Sequence, residues 1–134
     1  MNINVLDQFT IGYITAALWS STDNSNEQGG EPLDKNYDIS DLSDDCLKQI
    51  IEDCKAFQET NADLLNQYRN EISTNGQFSE SEYAGHDFWL TRNGHGCGFW
   101  DRGLGQLGKE LTEMSKPYGS CHLYVGDDRK IYCQ

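Results

Sequence analysis

Apolar residues recur at helical spacing in three parts of the chain. In "VLDQFTIGYITAALW", residues 5–19, the stripe Leu6, Phe9, Tyr13, Ile14, Ala17 and Leu18 predicts an amphipathic helix, weakened slightly by Gly12. The strongest rhythm comes next. Leu47, Ile50, Ile51, Cys54, Phe57, Leu64, Leu65 and Tyr68 mark a helix over about 43–70, with a break near Thr60–Asn61. Ser40 or Ser43 can cap its first free amides, and Asp44 and Asp45 follow where the helix dipole favours negative charge. Leu104, Leu107, Leu111 and Met114 form the face of a shorter helix over about 105–116, which Pro117 and Gly119 stop.

Elsewhere the period shortens. "HDFWLTR" and "GCGFWDR" are short and aromatic, with Asn93–Gly94 between them, a dipeptide suited to two-residue hairpin turns. This predicts strands over 86–92 and 97–101 joined by a turn at 93–96. "SCHLYVGDDRKIYC" predicts a second hairpin, with strands 120–125 and 129–133 turning at Gly126–Asp128. Residues 20–32 form a polar loop whose acids, Asp23, Glu27 and Glu31, do not follow the alternation of a calcium loop. Residues 32–43 are expected to be extended, and residues 72–85 to be a linker turning at Asn75–Gly76. The order is α-α-β-β-α-β-β. It predicts a single α+β domain over 1–134, with helices packed on one face of a small antiparallel sheet made of two β-hairpins. Residues 1–72 are the acidic helical part and 86–134 the hairpin–helix–hairpin part.

Charge sharpens this division. The net charge is −12. Residues 1–80 hold 15 acids and 4 bases, a net of −11, whereas 81–134 hold 7 acids and 6 bases, a net of −1. Such a surface repels phosphate, which argues against direct contact with nucleic acid or an anionic membrane. It suits a protein partner with a basic surface. The opening "MNINVLDQF" has neither the basic start nor the apolar run of a secretory signal, and no stretch approaches a membrane span. The five cysteines include no CxxC, so reduced thiols in a cytoplasm are expected. Cys46 and Cys54 fall on or beside the apolar stripe as core fillers. Cys121 and Cys133 could lie nearly opposite each other on the second hairpin.

The stretch "HDFWLTRNGHGCGFWDRG", residues 86–103, concentrates the candidate chemistry. It holds two histidines, two tryptophans, two aspartates and two arginines. Read as a hairpin, Asp87, Trp89 and Thr91 share one face, and His86, Phe88, Leu90 and Arg92 the other. Cross-strand aromatic pairs, with Arg92 or Arg102 clamping Asp87 or Asp101, would specify such a hairpin without any ligand. Catalytic alternatives stay open: His86, Asp87 and Asp101 as an acid–base set, or Thr91 or Ser120 activated by His86 or His95. No HxH, HExxH or cysteine-pair spacing points to a metal, and no motif points to a cofactor. Trp89, Arg92, His95, Trp100 and Arg102 also form a recipe for recognition, since Trp and Arg dominate interface energies.

The segments "ALWSSTD", "GGEPLD", "FWLTRNGHGCGFWDR" and "LYVGDDRKIY" resemble a family of small proteins encoded by tailed bacteriophages and prophages. The resemblance covers nearly the whole chain. It implies a phage origin and the cytoplasm of an infected host cell, and it brings no catalytic residues. Cys97 stands where relatives are expected to carry a small residue such as Ala, which argues against thiol chemistry there. Joined to the charge, this yields an expectation: an accessory protein that binds a host protein through acids that mimic spaced phosphates. The acids are Asp44, Asp45, Glu52, Asp53, Glu59 and Asp63. Host nucleases, restriction systems and polymerases offer basic surfaces of the required kind. The alternative is a small enzyme, or a small-molecule or metal-binding protein, built on the His/Asp/Arg cluster of residues 86–102.

Overall fold

A computed structural model describes residues 6–23, 31–72, 79–94, 98–101 and 103–133, without the side chains of Asp23 and Asp101. Among the described residues five α-helices dominate: α1 Gln8–Ser20, α2 Asp44–Thr60, α3 Ala62–Glu71, α4 Glu80–Arg92 and α5 Gln106–Ser115. Two antiparallel strand pairs complete the α+β fold. They are β1 Thr22–Asp23 with β2 Glu31–Pro32, and β3 Leu123–Val125 with β4 Ile131–Cys133.

The largest departure from the sequence pattern is α4. Residues 86–92 are helical, not a strand, so the expected hairpin over 86–101 does not form. The helix starts with a capping box: Ser79 Oγ accepts from the Glu82 amide, and the Glu82 carboxylate accepts from the Ser79 amide. It ends at Asn93, followed by Gly94 at φ 71°, so the supposed hairpin dipeptide closes a helix instead. Residues 84–90 are buried without interruption, so α4 is enclosed on every side. An enclosed helix shows no polar face and therefore no 3.6-residue rhythm. In place of the second expected strand, Phe99–Asp101 form a 3-10 turn. The sheet with helices on one face is replaced by a helical core that has small strand pairs at its edge.

α1 lies directly on α4. A β-carbon at Gly12 would overlap the Glu82 carbonyl, and one at Gly85 would overlap the Phe9 carbonyl. Only glycine allows the two backbones to meet this closely. Buried residues ring α1 more widely than the single stripe expected. The approach sets Tyr13 edge-on to Trp89, with ring centroids 5.3 Å apart, and Phe9 beside Phe88 at 6.0 Å. α2 closes the third side by stacking Phe57 on Phe88 at 4.1 Å.

Other expectations hold. The long second helix breaks at Asn61, whose side chain bonds the Phe57 carbonyl. Ser43 is its N-cap, accepting from the Cys46 amide at 3.1 Å. Cys46 and Cys54 are core residues. The last hairpin forms with shorter strands than the expected 120–125 and 129–133; it pairs Leu123 with Cys133 and Val125 with Ile131, and docks on the α2 cap where the Ser43 amide donates to the Ile131 carbonyl at 2.8 Å. Residues 32–43 are not simply extended, since they contain 3-10 turns at Leu33–Lys35 and Ile39–Asp41. The expected linker over 72–85 is overturned from Glu80 on, where the chain is already α4, and its turn at Asn75–Gly76 lies outside the described residues.

Gly85→Ala should cost about 3 kcal/mol or more, at the top of the overpacking range, because the obstacle is backbone. Urea unfolding would measure it, and a loss under about 1 kcal/mol would contradict the close crossing. Asp7 caps α1 by accepting from the Thr10 amide at 2.8 Å and from Gln58 at 3.1 Å. Burial alone would raise its carboxyl, but these bonds outweigh burial and hold it below the usual value. The stability it contributes is present above the unfolded pKa and lost as pH falls through the lower folded one. The acid limb below about pH 4 should therefore be shallower in Asp7→Asn, which keeps a cap without a titrating group.

Candidate functional site

The cluster of residues 86–102 resolves into separate places. Asp87 is fully buried and accepts from the Tyr68 hydroxyl at 2.6 Å. His86 is also buried, its ring 5.8 Å from that of Tyr83. As successive residues of one helix they diverge by about 100°, and each is buried among different aromatic neighbours, so they do not present a shared acid–base pair. Trp89 is only 2% exposed and donates its indole N–H to Ser20 at 2.7 Å, which makes it core rather than recognition surface. Thr91 accepts from the Phe99 amide at 3.1 Å. Trp100 alone of the two tryptophans is open to solvent, at 50%. His95, Cys97, Arg102 and the Asp101 side chain lie outside the described residues.

Arg92 is the polar centre of this region. It closes the last turn of α4, and among the described residues its carboxylate partner is Asp53 on α2, at 3.0 Å, not Asp87. Nη1 also donates to the Tyr13 hydroxyl at 3.0 Å. Nη2 and Nε donate to the Tyr118 and Gly119 carbonyls, both at 2.9 Å. The guanidinium carbon lies 5.7 Å from the ring centres of Phe88 and Tyr118. One side chain thus ties α4 to α1, to α2 and to the segment after α5. The pair is largely shielded, with 5% of the Arg92 side chain and 19% of Asp53 exposed. Burial opposes the charge on Arg92, but the Tyr13 hydroxyl and Asp53 more than restore it. Burial drives the Tyr13 hydroxyl well above its ordinary value.

A groove of about 320 Å³ opens over this tie, lined by Gln49, Asp53, Arg92, Ser120, Cys121 and Cys133 among others. The thiols of Cys121 and Cys133 share a hydrogen bond, which together with burial pushes the Cys121 thiol far up. The Cys121 bond by itself favours the Cys133 thiolate. The contact with Cys46 and burial outweigh it, and the Cys133 thiol is pushed up to about 11. Both thiols are therefore protonated and weakly nucleophilic at neutral pH. Four of the five N–H donors of Arg92 are already engaged by protein oxygens. The groove reads as a structural junction. Among the described residues, no group of three or more His, Cys, Asp or Glu side chains could hold a metal ion.

The acids singled out on α2 and α3 are mostly at the surface. Asp44, Asp45, Glu52, Glu59 and Asp63 are exposed, whereas Asp53 is turned inward to Arg92. Lys48 and Lys55 are exposed between them, so the face is acidic but interrupted. No helix among the described residues is long and apolar enough to cross a membrane. The chain matches no family model, no curated protein and no solved structure.

Arg92→Lys should lose the forked contacts and cost about 3 kcal/mol in chemical denaturation, more than Asp53→Asn, because Asp53 accepts only one of the four bonds. Equal losses would mean that the ion pair alone matters. Native-state alkylation near neutral pH should spare Cys54 and Cys121 and label them only after unfolding, read by mass spectrometry.

Proposed function

We propose that the protein is a phage-encoded accessory protein that binds a basic surface of a host protein through the outer face of α2 and the start of α3. The supporting observation is the exposure of Asp44, Asp45, Glu52, Glu59 and Asp63 on consecutive helices, within residues 1–80, which carry a net of −11 from 15 acids and 4 bases. Carboxylates at one- to two-turn spacing offer a basic groove the charge it is built to meet on nucleic acid. Surfaces that handle DNA, including those of nucleases, restriction systems and polymerases, are the partners of fitting charge, and occupying them would inhibit host defence or nucleic-acid metabolism in the host cytoplasm. Phage origin enters through the resemblance of segments such as "FWLTRNGHGCGFWDR". The burial of His86 and Asp87 favours this binding role over the enzyme alternative.

The test is a pull-down from bacterial lysate with the wild type and with Asp44→Lys/Asp45→Lys/Glu52→Lys, at low and at high salt. One host protein should be retained at low salt, released as salt screens the contact, and lost with the charge-reversed variant. Equal recovery by both proteins, or recovery of none, overturns the reading.

A further inference from the structure

A second surface feature lies away from the Arg92 junction. Two adjoining recesses, of about 350 and 310 Å³, run along the flank of α5 where it faces α3 and the α2–α3 break. Leu64, Gln106 and Glu110 belong to the first, Asn61 and Tyr118 to the second, and Met114 to both. The residues that α5 contributes, Gln106, Glu110 and Met114 among them, repeat every three to four positions. The trough therefore follows the helix for about 12 Å, slightly more than two turns. Its walls are chiefly apolar. Met114, at the join, is 36% exposed, and its thioether can adapt to varied apolar partners.

The rim supplies the sign of charge. Glu110 and Glu113 stand on α5, and Glu59 and Asp63 adjoin the lining residues Thr60 and Leu64 in sequence; all four are exposed. Among the described residues of this side the cations are Lys109, which itself lines the first recess, and Lys116, which is engaged by Glu113 at 2.9 Å. The rim is thus net acidic around an apolar floor. A free apolar trough bounded by helices, two turns long and edged with carboxylates, is complementary to an amphipathic helix with two apolar anchors and flanking Lys or Arg. We propose that this trough docks a basic amphipathic helix of the partner protein, with Met114 and Leu64 receiving its anchors. The inference rests on the acidic-surface reading above and adds a packed contact to it, since charge complementarity speeds encounter and rejects wrong partners more than it adds affinity.

The probe is a synthetic peptide of about 14 residues with Leu at helical spacing and Lys elsewhere, a length at which a helix can persist. Its controls are the same residues at strand spacing and an oligolysine of equal length. Each is titrated into the isotope-labelled full chain and followed by amide chemical shifts. The helical peptide should saturate, with shifts centred on Leu64, Gln106, Met114 and Tyr118. Met114→Lys should weaken it at least tenfold, and Glu110→Lys severalfold; both sites are open enough for the variants to fold, which unchanged shifts elsewhere would verify. Unaltered affinity in Met114→Lys, equal binding of the strand-spaced peptide, or shifts confined to Asp44–Glu52 would overturn the trough. Oligolysine binding on α2 alone would leave the acidic-surface reading standing without it. Helical-peptide binding in the trough while the pull-down recovers no host protein would do the reverse.

Discussion

The fold depends on a meeting of two backbones. Gly12 and Gly85 let α1 and α4 approach until main chain touches main chain, and neither position has room for a methyl group. The free energy comes from what this approach brings together. Phe9, Tyr13, Phe57, Phe88 and Trp89 pack ring against ring, and each favourable pair adds about 1 kcal/mol beyond its buried area. The polar groups sealed inside then have to be satisfied: Asp87 by Tyr68, the Trp89 indole by Ser20, and Arg92 by a carboxylate, a phenol and two carbonyls.

This arrangement explains which elements could be read from the chain. α2, α3 and α5 each bury one face and leave the other wet, so their apolar positions keep helical time, and even the break at Asn61 is visible. The C-terminal hairpin shows through its alternation and its Gly-Asp-Asp turn. α4 was illegible to periodicity because burial on all sides erases the polar face. Its aromatic and β-branched residues then mimic a buried strand. The decisive local signal was the capping box Ser79-Glu80-Ser81-Glu82, with Asn93–Gly94 as the matching stop. Gly12, read as a weak point in a helix, is a packing surface instead.

The same burial redistributes the candidate chemistry. The stretch richest in functional residue types is the central pillar of the molecule, where Trp89 and Asp87 are structural and Arg92 is a tie. Sequence spacing could not foresee that Arg92 would meet Asp53, because the two lie on different helices and are joined only by the tertiary packing. The surfaces proposed for binding lie outside this pillar: the carboxylates of α2 and α3, and the apolar flank of α5.

Ser43 carries two duties at once. Its hydroxyl caps α2, and its amide holds the final strand through Ile131. The end of the chain is therefore latched to the very turn that begins the charged helix. Detaching the last strand would uncover the buried Ile131 and leave that turn to fray, so that Asp44 and Asp45 would lose their fixed spacing. β4 thus governs how rigidly the carboxylates that open α2 are displayed.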